Sequence, residues 1–323
     1  MRERELLQRL SAGAVSGDAL AREAGLTRAA VWKRIAALRE AGIAINASPG
    51  RGYALEQALD LQDADAILAA LPAHARPAEL DVAWSLDSTN SELLRRETPA
   101  QGCAALLAER QTGGRGRRGR GWASPLAAHV YLSVARHFDG GLARLGGLSL
   151  VAGIAVCEAL HALGFAQVGL KWPNDLVVVE DDGLRKLGGL LVEGGGEAAG
   201  AARAVIGIGL NVRMPEAFAA GIDQPWTQLA SLSPQFVSRN AVVAGVLAHL
   251  LPALDRFDAQ GLAPFLSRYA ACDVLAGRAV SIHEAGGVWP AVALGIADDG
   301  ALRVRDDAGN ERRVHAGDVS VRA

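Results

Sequence analysis

Between two apolar stretches, residues 103–109 and 129–135, the chain reads Gly-Gly-Arg-Gly-Arg-Arg-Gly-Arg-Gly-Trp-Ala-Ser-Pro over residues 113–125. Four arginines, Arg115, Arg117, Arg118 and Arg120, sit among glycines, on a backbone that turns freely and can approach a ligand closely. The apolar flanks, with Trp122 and Pro125 at its end, mark a loop held by structured segments rather than a flexible basic linker. Such a loop suits a polyanion, because guanidinium forks and glycine amides both donate to phosphate or carboxylate. Gly114, Gly116 and Gly119 match the spacing of a dinucleotide fingerprint, but the following Val-Tyr-Leu-Ser-Val alternates like a strand where that motif needs a helix. No Gly-Lys-Ser/Thr follows, so a Walker A loop is excluded as well.

With 323 residues, half of them apolar, the chain has room for two or three domains. Nothing in it reads as a membrane span or a signal peptide, and three scattered cysteines fit neither a disulfide framework nor a metal site, so the cytoplasm is the expected location. A formal net charge of −2 confines any nucleic-acid binding to a local patch. Of 33 basic residues only Lys33, Lys171 and Lys186 are lysine, which singles out positions where a compact ammonium is wanted.

Residues 1–60 read as a winged helix-turn-helix. Leu6, Leu7 and Leu10 form a first stripe; Ser16 caps a second helix closed by Gly25; Thr27 caps a third carrying Val31, Ile35 and Leu38. A hairpin turning at Pro49-Gly50 supplies the wing. Arg28, Ala29, Trp32 and Lys33 lie opposite the apolar stripe and Arg51 on the wing, so these are the candidate DNA contacts. Between Arg22 and Tyr53 six basic residues face two acidic ones, which suits a phosphate backbone.

Residues 61–79 read as a linker with one amphipathic helix, and 80–271 as a mixed-sheet domain. There Ser88, Thr89 and Asn90 precede Leu93-Leu94; Thr89-x-x-Glu92 is a capping box, and the same groups can serve a small polar ligand. Gln111 ends the strand before the arginine loop. Lys171, Asn174 and Asp175 crowd a proline turn, Lys186 opens a strand containing Gly188 and Gly189, and Val-Ile-Gly-Ile-Gly-Leu-Asn-Val ends near Asn211. Glycine-bearing strands alternating with helices describe an α+β sheet with one face as a ligand platform, and Trp226 ends a loop where it could pack on a flat ring. Residues 272–323 carry short alternating strands and read as a small β-barrel.

In the order Gly-Arg-Gly-Arg-Arg-Gly-Arg, Lys-Trp-Pro-Asn-Asp, Arg-Lys-Leu-Gly-Gly-Leu-Leu-Val-Glu and Gly-Ile-Gly-Leu-Asn-Val, these motifs resemble the biotin protein ligases over essentially the whole chain. The winged helix in front makes it similar to the bifunctional bacterial form, ligase and biotin operon repressor in one chain. The resemblance implies a winged helix, a catalytic domain of the biotin/lipoate ligase type and an SH3-like C-terminal barrel. It implies formation of biotinyl-5'-AMP from biotin and ATP with Mg²⁺, then transfer of biotin to a lysine of a biotin carboxyl carrier protein. Operator DNA would be a further partner, and the adenylate, as co-repressor, would favour a homodimer. By motif match, Ser88, Thr89, Asn90, Gln111, Arg115, Gly116, Arg117, Lys186, Gly188 and Gly189 would contact biotin. The nucleotide would meet Arg117, Arg118, Arg120, Trp122, Lys171, Asn174, Asn211, Trp226 and Arg322. Lys186, Arg115, Arg117, Lys171 and Asp175 would carry the chemistry, with no protein-held metal beyond Mg²⁺ on ATP. His129 stands where the family tends to have asparagine. Two other readings remain: a ligase with a DNA-inert winged helix, and a sensor-only DNA regulator.

Overall fold

The computed structural model describes residues 3–139, 141–196, 202–284, 287–315 and 320–322. Helices α1 (Glu3–Ser11), α2 (Gly17–Ala24) and α3 (Arg28–Glu40) are followed by a hairpin of β1 (Ile45–Ser48) and β2 (Gly52–Leu55). The Ser16 side chain accepts from the Ala19 amide at 3.1 Å and the Thr27 side chain from Ala30 at 3.2 Å, while Gly25 takes φ +63° between the two helices. Leu6, Leu7, Leu10, Leu20, Val31, Ile35 and Leu38 form the core of this unit. Gly52 is required by close approach: at φ +85°, a Cβ there would stand 2.2 Å from the Val15 carbonyl oxygen, where the wing pairs with the residue before the cap of α2.

Next come α4 (Ala64–Ala70), β3 (Glu79–Ala83), α5 (Thr89–Arg95), β4 (Ala104–Ala108), β5 (Val130–Phe138), α6 (Leu148–Ala162), β6 (Val168–Lys171), β7 (Asp175–Glu180), β8 (Gly183–Gly196) and β9 (Ala202–Leu210). Two short helices, α7 (Glu216–Ala219) and α8 (Leu229–Leu232), lead into the long α9 (Arg239–Gln260) and into α10 (Leu266–Cys272). The seven strands form one mixed sheet in the order β3-β4-β5-β9-β8-β7-β6, with β3 and β4 parallel and the other neighbours antiparallel.

Alternation gives this sheet two unlike faces. Leu132 and Val134 of β5 and Ile206, Ile208 and Leu210 of β9 pack with α6 and α9. Their neighbours Ser133, Gly207 and Gly209 point to the opposite face, where α5 covers one end.

The C-terminal unit expected as a barrel is a five-stranded antiparallel sheet. Its strands are β10 (Ala279–Glu284), β11 (Gly287–Ile296), β12 (Leu302–Asp306), β13 (Glu311–Val314) and β14 (Ser320–Arg322), in the order β13-β12-β11-β10-β14. Its apolar residues Val280, Ile282, Leu302 and Val304 are continuous with the central core, and Trp172 Nε1 donates to the Gly300 carbonyl at 3.0 Å.

Residues 61–79, expected as a linker with one helix, pack against the central domain: Ile67 and Leu71 are buried in its core, and Asn240 binds the Leu61 carbonyl and the Asp63 amide. Of the three cysteines scattered along the sequence, Cys157 of α6 and Cys272 of α10 are brought together, because those helices pack side by side.

A buried polar node joins three segments. Arg239, 1% exposed at the start of α9, pairs with Glu109 at 2.8 Å and donates to the carbonyls of His129 (3.0 Å) and Asp60. His129 is fully buried; its Nδ1 accepts from the Val212 amide at 3.1 Å and its Nε2 has no partner among the described residues. Burial, with Arg239 nearby, pushes its pKa down to about 3, so the ring is neutral and structural.

Replacing Arg239 by methionine leaves Glu109 buried without a counter-charge, and a loss of about 3–5 kcal/mol is expected in the urea unfolding free energy. A second expectation concerns acid. An unfolded histidine titrates near about 6.5. On acidification the unfolded chain therefore takes up its proton first, and stability that is complete above that pH falls as pH drops toward 3. At about pH 5 the His129 contribution to this loss is about 2 kcal/mol. Between pH 7 and pH 5 the wild type should lose that much more stability than His129→Asn, whereas equal losses would remove His129 from the account.

Candidate ligand site and nucleic-acid face

On the open face of the sheet, the floor is glycine. A Cβ on Gly207 would meet Asn90 Oδ1 at 2.4 Å, and one on Gly209 would meet the Trp122 indole at 2.7 Å, so both strand positions must be bare for their neighbours to lie where they do. Asn90 and Thr89 stand at the start of α5, buried at 3% and 4% exposure. Ser133, missed in the sequence, bridges them: its Oγ lies 2.7 Å from Thr89 Oγ1 and 2.6 Å from Asn90 Oδ1. Asn90 Nδ2 donates to Glu193 at 2.9 Å and to the Leu191 carbonyl at 3.1 Å. Gln111 accepts from the Thr89 amide at 2.8 Å and its own amide donates to Ser124 Oγ at 3.2 Å, which ties the base of the arginine loop to the α5 terminus. A serine inside an otherwise apolar alternating strand was the available signal for Ser133. Ser124 and Glu193 carried none beyond lying in the motifs.

The cap of α5 is Ser88, whose hydroxyl accepts from the Ser91 amide at 3.4 Å. That corrects the expected Thr89-x-x-Glu92 box by one residue: Thr89 is the first helical position, its hydroxyl is held by Gln111 and Ser133, and Glu92 pairs instead with Arg95 and Arg96.

Lys186 and Arg117 stand at the other end of the floor, while Arg115 reaches back to the α5 end. Lys186 pairs with Asp175 at 2.8 Å, and its ammonium lies 5.5 Å from the centre of the Trp122 ring. Arg117 donates to Asn174 Oδ1 at 3.1 Å, and Asn174 Nδ2 holds the Leu190 carbonyl at 2.8 Å. Half-burial, with Arg118 beside it, pulls the Arg117 pKa below the usual guanidinium value, and the Asp175 carboxylate acts against that shift. Arg115 reaches Ser91 at 2.9 Å and Glu193 at 3.4 Å. The loop is braced from within, the Gly116 amide donating to Arg120 O at 2.7 Å and the Trp122 amide to Gly114 O at 2.9 Å. Trp122 Nε1 is buried with no partner among the described residues.

Not every predicted residue offers itself to a ligand. A Cβ on Gly188 would meet the Gly209 carbonyl at 2.6 Å and Leu210 at 2.7 Å, so sheet packing next to the β7–β8 bulge explains that glycine, while Gly189 faces Lys186 and Asp175. Asn211 is 5% exposed and its amide donates to the Thr227 carbonyl at 3.1 Å, so it ties down the segment after Trp226 rather than projecting into the site. That segment is joined to the floor by the Lys186 amide on Pro225 O (3.0 Å) and the Thr227 amide on Lys186 O (2.9 Å), which places Trp226 beside Lys186. Arg118, at φ +58°, and Arg120 are exposed on the loop; Lys171 ends β6 opposite Asp175. Gly116 has open space on its Cβ side except for the Arg120 carbonyl at 3.7 Å. Arg322 belongs to β14, and its side chain lies outside the described residues.

The winged helix presents a second face. Arg28, Ala29, Trp32 and Lys33 are exposed along α3, Trp32 at 60%, and Arg51 is exposed on the wing. This face and the arginine loop are mechanically joined: Leu126, just past the loop, is buried in the winged-helix core, and its amide donates to Ala41 O at 2.8 Å.

Three family descriptions match the chain: an HTH domain over residues 2–54, the biotin/lipoate A/B protein ligase family over 82–211, and the biotin protein ligase C terminal domain over 276–322. The bifunctional ligase/repressor BirA of Salmonella typhimurium is 38% identical, and that of Escherichia coli 37% identical, each alignment covering 95% of this chain and 93% of the relative. The biotin protein ligase from Aquifex aeolicus, solved in complex with biotin and ATP, superposes with a TM-score of 0.63 at 27% identity, over 76% of this chain and 99% of that one. By these likenesses, over nearly its full length, the chain belongs to the family of bifunctional biotin protein ligases and repressors.

Proposed function

We infer that this chain is an ATP-dependent biotin protein ligase that also represses transcription in response to biotin. The observation that carries the ligase reading is a glycine floor with Lys186 and Arg117 over one end and Thr89, Asn90 and Gln111 closing the other, where Arg115 reaches Ser91 and Glu193. A ligand there meets the hydroxyls and amides of Thr89, Asn90 and Gln111, with the Arg115–Glu193 pair, at one end and Lys186 and Arg117 at the other, a setting that suits a ureido ring with a carboxylate tail. In the first step a biotin carboxylate oxygen attacks the α-phosphorus of ATP and pyrophosphate leaves with the bond electrons. In the second, a carrier-protein lysine attacks the acyl carbon and AMP departs. Both steps gather negative charge, and fixed cations stabilise it without reorganising. Lys186 is the group proposed nearest that charge; Arg115 and Arg117 close over the adenylate, and Arg118, Arg120, Trp122, Lys171, Asn174 and Trp226 face the nucleotide. Ser88 and Asn211 act by positioning, through the α5 cap and the Thr227 segment. Asp175 is a hard oxygen donor on this face and would meet Mg²⁺ carried on the phosphates of ATP.

We further propose division into residues 1–60, 61–79, 80–271 and 272–323, action in the cytoplasm, a biotin carboxyl carrier protein as acceptor, and a homodimer when the adenylate is bound. Two winged helices would then meet two operator half-sites. The shared packing of Leu126 supports communication between the loop and that unit.

Lys186→Ala should lower biotin-dependent pyrophosphate release by about 10²–10³-fold, with lipoate inert in both proteins. Undiminished turnover, or an equal lipoate signal, overturns the assignment. For the DNA face, Lys33→Ala should weaken operator binding and reduce the slope of log affinity against log salt by about 1 while leaving the ligase rate unchanged. An unchanged salt slope would favour a DNA-inert winged helix.

A further inference from the structure

Away from the ligand face, α6 and α10 bring two thiols and an imidazole to one point. Cys157 and His161 lie four residues apart on α6 and therefore on one side of it, and Cys272 ends α10. One ligating atom from each of the three falls within 4.8 Å of the other two. Cys157 Sγ stands 3.4 Å from His161 Nε2, close to the edge of a tetrahedron built with metal–sulfur bonds of about 2.3 Å and metal–nitrogen bonds of about 2.0 Å. The Val168 carbonyl oxygen faces the same point, 2.7 Å from His161 Nε2 and 3.3 Å from Cys157 Sγ. Cys157 is fully buried and Cys272 9% exposed, while the ion pair of Arg268 with Glu158 at 2.5 Å holds the two helices together beside them.

We propose that Cys157, His161 and Cys272 bind one zinc-class divalent cation, with the Val168 carbonyl or a water as fourth ligand. Two soft sulfurs and an imidazole select zinc over magnesium, which takes hard oxygens in an octahedron. Binding displaces the thiol protons to solvent and requires a bare Nε2 on His161, so the ring exchanges its hydrogen bond to Val168 for the metal and carries its proton on Nδ1.

The placement gives the site a clamping role. Val168 begins β6, which runs to Lys171 on the ligand face, and the Val274 amide donates to Leu170 O at 3.0 Å just after Cys272. A metal here would fasten β6 and the approach to the C-terminal sheet to α6.

The test uses the full chain, stripped with a chelator, kept reduced with a phosphine and free of ATP. Zinc is titrated against a chromophoric competitor, and cobalt is added in parallel to read thiolate-to-metal absorption. A single tight equivalent with that absorption is expected. Cys272→Ser and His161→Gln should each weaken zinc by about a hundredfold or more, and Cys103→Ser, which alters the buried cysteine elsewhere, should leave it unchanged. Cys157 is left intact, since its burial makes misfolding the simplest result of changing it. Zinc binding of equal strength in wild type and Cys272→Ser overturns the proposal, as does cobalt binding without thiolate absorption.

Discussion

The central sheet is covered by long helices on one face only, and the ligand face follows from that constraint. Alternation sends Ile206, Ile208 and Leu210 into the packing with α6 and α9, and the residues between them must point the other way. At those positions the chain has Gly207 and Gly209, and across on β5 it has Ser133. Large apolar side chains there would expose a hydrophobic face or close it against the loops. Absent side chains instead let Asn90 and Trp122 descend onto the backbone.

On this floor the charges are arranged for an anion. Lys186 is already paired with Asp175, so its ammonium is placed by a partner within hydrogen-bond distance rather than swinging free. Arg117 is placed by Asn174, which is itself pinned to Leu190 of β8. A cation held on a strand by such contacts loses little freedom when a phosphate arrives, and preorganisation of this kind separates a catalytic cation from a merely attractive one.

Much of this was legible where local chemistry decides structure. Ser16, Gly25 and Thr27 announced the helix boundaries because caps and left-handed turns tolerate few residues. The arginine loop was legible because it could be nothing regular. Contacts made at long range were not. Ser133 meets Asn90 across 43 positions of sequence, and Arg239 meets Glu109 across 130. Ser88 rather than Thr89 became the cap because Gln111, more than twenty positions away, took the Thr89 hydroxyl. The amphipathic helix in 61–79 was recognisable, but its pattern did not say which core it would join. The Cys157–Cys272 proximity depends on α6 and α10 packing together, which no spacing encodes.

The link between the two proposed activities is a matter of where the loop ends. From Gly113, whose amide donates to Asp87 O at 2.8 Å, the chain crosses the ligand face to Trp122 and Ser124. Two residues on, Leu126 is buried among winged-helix side chains, and Ala127 returns its amide to Glu109 O at 3.0 Å with φ +55°. Only a few residues separate the ligand face from the winged-helix core. Leu126 thus ties the end of the loop to the winged-helix core, and a ligand on the loop acts on that core only to the extent that it binds one arrangement of this junction better than another.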